Sequence, residues 1–288
     1  MTPIFRRRRL APSWEYTAEG IIWRLHPAAG GLILGEERNI ESRTATFFCV
    51  DQSGTLWKRK NFGEQWWTGI ETVHRGVLFL YGFATPDLPG RRGITAVDCS
   101  TGELLWINND LTFIAAAGNA VYASRDEIDG PVVFEVDIRT GSQVREVGRG
   151  SDAVLQVSRT GDDVDDTEYP QVLLDEDVSP LSALVRKLSA QAAVGWPVEY
   201  GERGPFLVVV YHRGKISGRD ETPPYIRELD VVDRASETRM MHFTLDGAVS
   251  SPAYGSFLVH NGVLYFVRER KTLTAVPLRA MPIQREST

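Results

Sequence analysis

The chain is poor in several things that would mark a secreted scaffold or a familiar catalyst. Only two cysteines, Cys49 and Cys99, occur in 288 residues, too few and too far apart for a disulfide framework or a Cys/His metal cluster. No run of about 18 apolar residues is present, so no membrane span is expected. The opening MTPIFRRRR has a basic stretch with no apolar segment behind it, which does not read as a secretory signal. There is no Asn-x-Ser/Thr site, and the expected compartment is the cytoplasm. Positive charge is in deficit: 32 Lys and Arg against 38 Asp and Glu leave a net charge of −6. That balance excludes a charge-driven nucleic-acid coat, and Arg6–Arg9 reads as a solvated tail. No GxxxxGK[ST], HExxH, GxSxG or strand-following GxGxxG occurs.

What the chain does have is a repeat. Gly76-Val-Leu-Phe-Leu-Tyr81 resembles Gly262-Val-Leu-Tyr-Phe-Val267, and each is followed by a second apolar run, Gly93-Ile-Thr-Ala-Val97 and Thr272-Leu-Thr-Ala-Val276. The first leads into Asp98-Cys-Ser-Thr-Gly-Glu-Leu-Leu-Trp106. Related stretches are Asp51-Gln-Ser-Gly-Thr-Leu-Trp57, Asp137-Ile-Arg-Thr-Gly-Ser-Gln-Val144 and, more weakly, Asp233-Arg-Ala-Ser-Glu237. Short apolar runs rich in β-branched and aromatic residues are buried strands. Asp-x-x-Thr-Gly is a tight turn, in which Asp bonds its own downstream backbone and Gly supplies positive φ. Strand, loop, strand, turn, strand makes one antiparallel sheet, and copies stacked about an axis bury both faces of each, as in a β-propeller.

The fold class expected is therefore all-β, a β-propeller of five four-stranded blades. They span about Ile21 to Lys60, Trp66 to Asn108, Leu111 to Val147, Pro197 to Phe243 and Ala253 to Leu278. The last copy stops one strand short, and Ser13-Trp14-Glu-Tyr16 supplies the missing strand, so that the N-terminal strand closes the last blade. Residues 1–12 and 279–288 are tails about a single domain, 13–278. Residues 148–196 fit no blade. They are an inserted helix, with Ser179 as N-cap, Pro180 at the first helical position and Leu181, Leu184, Val185 and Leu188 on one face, or a degenerate sixth blade. Insertion is preferred because only Val154–Val157 and Val172–Leu174 look strand-like.

The segments 250–278 and 74–106, and the longer WWTGIETVHRGVLFLYGFATPDLPGRRGITAVDCSTGELLW (66–106), resemble the repeats of quinoprotein-type (PQQ-like) β-propellers. The longer pattern also resembles a bacterial family of unknown function typical of Bacteroidetes. The quinoprotein resemblance implies the blade. Its enzymes carry a vicinal cysteine pair and a calcium site, and are exported. Cys49 and Cys99 are not adjacent, so no quinone cofactor is expected here, nor any other.

Candidate functional residues follow from the topology. Loops between the second and third strands share an end of each blade with the connections between blades, and these read as the long ones: Arg38–Thr44, Phe83–Arg92, Arg125–Pro131 and His212–Tyr225. They carry Arg38, Arg43, Arg91, Arg92, Arg125, Arg213, Lys215 and Arg219 among acidic residues, a mixed-sign surface suited to a protein partner or small ligand rather than to nucleic acid. The leading expectation is a non-catalytic, monomeric scaffold that binds through this face. The alternative is an enzyme or metal-dependent binder at the axial channel using His26, His74 and His260, which stand at one repeat position. A turn residue copied with the repeat and bonded to a local carbonyl explains those histidines equally. The acidic loop 162–168 reads as solvated, and Trp66-Trp67 as core.

Overall fold

The computed structural model describes residues 9–60, 62, 66–83, 90–158, 166–214 and 225–279. The expected fold class is the observed one: five antiparallel meanders of the β-propeller blade type. They fall into two compact units, residues 18–165 and residues 1–17 with 166–288.

The first unit holds three sheets. After β1 (Trp14–Thr17), which belongs to the other unit, come β2 (Ile21–Ala28), β3 (Leu32–Asn39), β4 (Thr44–Asp51) and β5 (Gly54–Lys60). The second sheet is β6 (Gly69–His74), β7 (Val77–Phe83), β8 (Arg91–Asp98) and β9 (Leu104–Asn108). The third is β10 (Thr112–Ala117), β11 (Ala120–Glu127), β12 (Gly130–Asp137) and β13 (Gln143–Arg149). The unbroken apolar run of β7 has a direct cause. Leu78 and Leu80 pack with Leu34, Phe47 and Cys49 of the first sheet. Val77 and Phe79, pointing the other way, pack with Val121, Ala123 and Phe134 of the third. A strand buried on both faces has no polar side to alternate with.

The Asp/Gly turns are built as the repeat implies. Asp98 Oδ1 accepts from the Ser100 and Thr101 N–H groups at 2.9 and 3.2 Å, and Asp137 Oδ1 from those of Arg139 and Thr140 at 3.0 and 2.8 Å. The glycines have a second task. Trp57 of β5 donates its indole N–H to the Cys99 carbonyl at 2.7 Å, and Trp106 of β9 donates to the Ile138 carbonyl at 3.0 Å. Each indole thereby lies on the turn of the next sheet. A Cβ on Gly102 would stand 2.7 Å from the Trp57 ring, and one on Gly141 2.6 Å from the Trp106 ring, and both glycines have φ near +70°.

The insertion contains two helices. Val154–Val157, read as strand-like, lies in α1 (Gly150–Val157). A short apolar run does not distinguish the two periods, and Val154 and Val157 stand at helical i, i+3 spacing. No sixth sheet exists among the described residues. The two-residue strands β14 (Thr167–Glu168) and β15 (Gln171–Val172) instead extend their neighbours, β14 pairing with the inner strand of the last sheet and β15 with that of the fourth. Then α2 (Pro180–Leu188) starts as expected, the Ser179 hydroxyl accepting from the Ser182 N–H at 3.0 Å.

In the second unit the fourth sheet is β16 (Glu199–Arg203), β17 (Phe206–Gly214), β18 (Tyr225–Asp233) and β19 (Thr238–Val249), and the fifth is β20 (Phe257–His260), β21 (Val263–Arg268), β22 (Thr272–Pro277) and β1. Trp14 pairs with Ala275 and Thr17 with Thr272, so the N-terminal strand completes the last sheet. Val208 and Val210 face Phe257 and Val259. Leu207, Val209 and Tyr211, on the opposite face, are covered by Leu181, Leu184, Val185 and Leu188 of α2. No helix among the described residues is long and apolar enough to cross a membrane.

Two predictions follow from the turns. Gly141→Ala puts a methyl group into the Trp106 ring at a positive φ, and is expected to cost about 2–3 kcal/mol by the overpacking and backbone terms, read as a lowered Tm. The second concerns pH. Burial works against ionisation of Asp98, yet hydrogen bonds from Ser100 and Arg139 bring its pKa down to about 2. A depressed folded-state pKa stabilises the protein above the ordinary carboxylate value, and that contribution is lost as pH falls from about 4 to about 2. Melting curves across this window should fall less steeply for Asp98→Asn than for the parent.

Candidate functional site

The loops expected to be long are only partly so. The β11–β12 connection is the two-residue turn 128–129, with Arg125 paired to Val132 inside the ladder. The β3–β4 connection is 40–43. The mistaken Arg125–Pro131 loop follows from its acidic composition, since Asp126 and Glu127 look like loop residues but sit on an exposed strand end. Arg38, Arg91, Arg92, Arg125 and Arg213 are all strand residues, and of the candidates only Arg43 occupies a described connection, exposed with φ of 49°. Lys215 and Arg219 lie outside the described residues.

The strand arginines share one arrangement, a carboxylate partner and often an aromatic ring. Arg38 donates Nε to Glu36 at 2.7 Å and also donates to the Trp66 and Thr68 carbonyls, lying 5.2 Å from the Trp66 ring centroid. Glu36, only 1% exposed, also accepts from the Ile70 N–H at 3.0 Å, which ties the first sheet to the second. Arg92 meets Asp110 at 3.2 Å. Arg125 meets Glu127 at 2.8 Å and lies over Phe134. In the other unit Arg213 holds Glu228 at 2.7 Å, and against the effect of burial keeps that carboxyl below the usual range.

Arg91 belongs to a larger cluster. It donates to both oxygens of Glu71 at 2.9 and 2.8 Å and lies 4.3 Å above the Tyr81 ring. Tyr81 meets Phe83 edge-on at 5.5 Å, and Phe83 meets Trp67 edge-on at 5.9 Å. Two glycines build this. A Cβ on Gly69 would stand 2.7 Å from the Tyr81 hydroxyl, so only glycine lets that ring lie across β6. Gly93, at φ of 88°, is the unpaired residue where the β7–β8 register shifts. Such a bulge turns the strand end, here bringing Arg91 against Tyr81. Trp67, expected in the core, is 40% exposed. Glu71, Tyr81 and Phe83 escaped the sequence reading; the signal for them was the i, i+2 spacing of 81 and 83 opposite Gly69.

The histidines do not share one register. His74 and His260 end β6 and β20, opposite Val77 and Val263, whereas His26 lies two residues short of the end of β2, opposite Leu34. His74 Nε2 stands 2.9 Å from the Gly118 carbonyl, His26 Nδ1 3.2 Å from the Pro27 carbonyl, and His260 Nδ1 2.9 Å from the Thr167 hydroxyl. Among the described residues no group of three or more His, Cys, Asp or Glu is placed to hold a metal ion. Of the acidic loop, Asp166 and Glu168 are described, and both pair with Arg203. The two thiols are buried and free, and burial raises both, Cys49 to about 12.

The strand pairing defines the class, a blade-repeat protein of the β-propeller type. Residues 27–106, which run from the end of β2 to Trp106, match the family model described as a domain of unknown function, DUF4905. Among solved structures the chain is similar to the Kuenenia stuttgartiensis hydrazine synthase, at 12% identity over 84% of this chain and 63% of that one, with a TM-score of 0.29. It is similar to the quinohemoprotein alcohol dehydrogenase ADHIIG from Pseudomonas putida HK5, at 11% identity over 93% and 44%, TM-score 0.30. The Dos1 propeller gives 10% identity over 89% and 67%, TM-score 0.30. The chain thus spans less than two thirds of the first two. The curated proteins give no match.

The burial contrast among the arginines yields a prediction. Arg38→Ala leaves the buried Glu36 carboxylate without its cation, and should destabilise by about 3–5 kcal/mol. Arg92→Ala, removing an exposed pair, should stay within about 0.5 kcal/mol. Denaturant titrations of the two variants beside the parent measure both.

Proposed function

We propose that the protein is a non-catalytic propeller-type scaffold that binds a partner protein through the end of its sheets carrying the connections between second and third strands. The observation that carries this is the Trp67–Phe83–Tyr81–Arg91 cluster. It combines a half-exposed indole, two edge-packed rings and a guanidinium already oriented by Glu71. Aromatic and arginine side chains held in place before contact are the residues that dominate protein interfaces, because little side-chain entropy remains to be lost on binding. Arg38, Arg43 and Arg92 extend the same end of the first two sheets and Arg125 stands at the corresponding end of the third; Arg213 belongs to the other unit. The non-catalytic part of the reading is supported by the carboxylates Glu36 and Glu199, which accept structural hydrogen bonds, and by thiols whose burial keeps them protonated at neutral pH. Free, buried Cys49 and Cys99 suit a reducing compartment such as the cytoplasm.

The test is affinity capture from the native source with the parent, Trp67→Ala and Arg91→Ala, each checked for an unchanged circular dichroism spectrum. A specific partner retained by the parent should lose about 30-fold or more in affinity with either variant, the scale of a hot-spot residue. Partners captured equally by all three proteins would remove this end from consideration.

A further inference from the structure

The fourth sheet holds a second cluster of basic groups, organised differently from the first and independent of the reading just given. Asp230 on β18 is 2% exposed. Its Oδ1 accepts from His242 Nδ1 at 2.8 Å and forms an ion pair with Arg239 Nε at 3.0 Å, both on β19, and its Oδ2 accepts from the Tyr211 hydroxyl at 3.3 Å. A carboxylate only accepts, so His242 carries a proton on Nδ1 and presents Nε2 elsewhere. Arg239 is held by Nε alone, which leaves its two terminal nitrogens, and its side chain is 53% exposed. One buried negative charge thus fixes two basic side chains by one atom each.

Arg239 and His242 border a groove of about 370 Å³. Its other wall is the segment Arg9–Pro12, which passes from the fifth sheet to the edge of the fourth. The Ser13 N–H donates to the Ala275 carbonyl at 2.9 Å and the Leu10 N–H to the Met240 carbonyl at 3.2 Å. That wall brings an exposed guanidinium, Arg9, together with the apolar surfaces of Leu10 and Pro12. Arg9 and Arg239 against Asp230 leave the groove with surplus positive charge, and the nearby Glu228 is already neutralised by Arg213. The volume is in the range of small-molecule sites, which join an apolar lining to a few fixed polar groups.

We propose that this groove binds a small organic anion, its carboxylate or phosphate held by Arg9, Arg239 and His242 and its apolar body resting on Leu10, Pro12 and Phe243. Guanidinium groups with free terminal N–H donors suit either anion by paired hydrogen bonds.

Isothermal titration of the full chain with phenyl phosphate and, separately, with hexanoate tests this. Saturable binding of either probe with a Kd below about 1 mM, weakened tenfold or more by both Arg9→Gln and Arg239→Gln, is the expected result. Binding of phenyl phosphate alone would mark the ligand as a phosphate ester, and of hexanoate alone as a carboxylate. Arg9 is exposed, so the melting curve of Arg9→Gln should match the parent's and loss of affinity in that variant is separable from unfolding. The proposal fails if neither probe saturates, or if both variants bind as the parent does.

Discussion

The contact on which the architecture of the first unit depends is an indole resting on the turn of the next sheet. Trp57 and Trp106 each donate to a carbonyl in the next turn of the repeat, Cys99 and Ile138, and each covers a glycine with no room for a Cβ. Several features that look separate in the sequence follow from it. Asp98 and Asp137 hold the turn tight enough to be a flat seat, Gly102 and Gly141 keep it bare, and the tryptophan sits within the fourth strand of the preceding sheet, over that seat. The apolar faces between sheets supply most of the stabilisation, but they are not directional. The indole hydrogen bond adds the direction, setting which turn meets which strand.

The same contact shows where the repeat changes. β13 carries Arg145 where β9 carries Trp106, and that arginine pairs with Glu135 on the adjacent strand at 2.7 Å and is 62% exposed. The insertion begins immediately after this strand. In the second unit the face of the fourth sheet formed by Leu207, Val209 and Tyr211 is covered by α2 rather than by a sheet. A helix with apolar residues at i, i+3, i+4 and i+7 presents a stripe wide enough for one sheet face, so it replaces a blade as cover without needing strands of its own. That is why residues 148–196 fit no blade, and why their only strands are two-residue additions to existing sheets.

The sheets were legible in the sequence because the repeat registers them. Asp98, Asp137 and Asp233 stand opposite Val77, Ala120 and Phe206, and Pro277 opposite Val263, so one turn signal located each third strand. The strand missing from the last copy was equally visible, since Trp14 precedes the first blade as Trp57 precedes the second. What failed were judgements made on a few residues without a partner. Val154–Val157 is apolar in either period. Asp126 and Glu127 are acidic yet form a strand end beyond the edge of the core. His26 follows a bulge as His74 does, but β2 runs on through Pro27 and Ala28 before its turn while β6 stops at His74. Charge near strand ends marks the candidate arginines, and Glu36 stands two residues before Arg38 on the same strand, but Glu71, Asp110 and Glu228, which decide what Arg91, Arg92 and Arg213 do, lie on other elements where no linear pattern joins them.

Those partners separate two kinds of basic surface. In the first unit the carboxylates largely saturate their arginines. Glu71 takes Arg91 with both oxygens and Glu36 takes Arg38 alongside two carbonyls, and each guanidinium also lies over a ring, so little charge remains to attract a ligand. On the proposed reading, such a surface would recognise a partner by shape and stacking, with weak dependence on salt. Around Asp230 the ratio is reversed, with one carboxylate shared between Arg239 and His242 and with Arg9 across the groove. There the buried charge orients its partners without using up their donors, and the excess positive potential faces a concave, partly apolar space. One buried carboxylate holds two basic side chains there without using all their donors, which is the arrangement the proposed anion site would use. This is the physical reason to assign macromolecular contact to the first surface and a small charged ligand to the second.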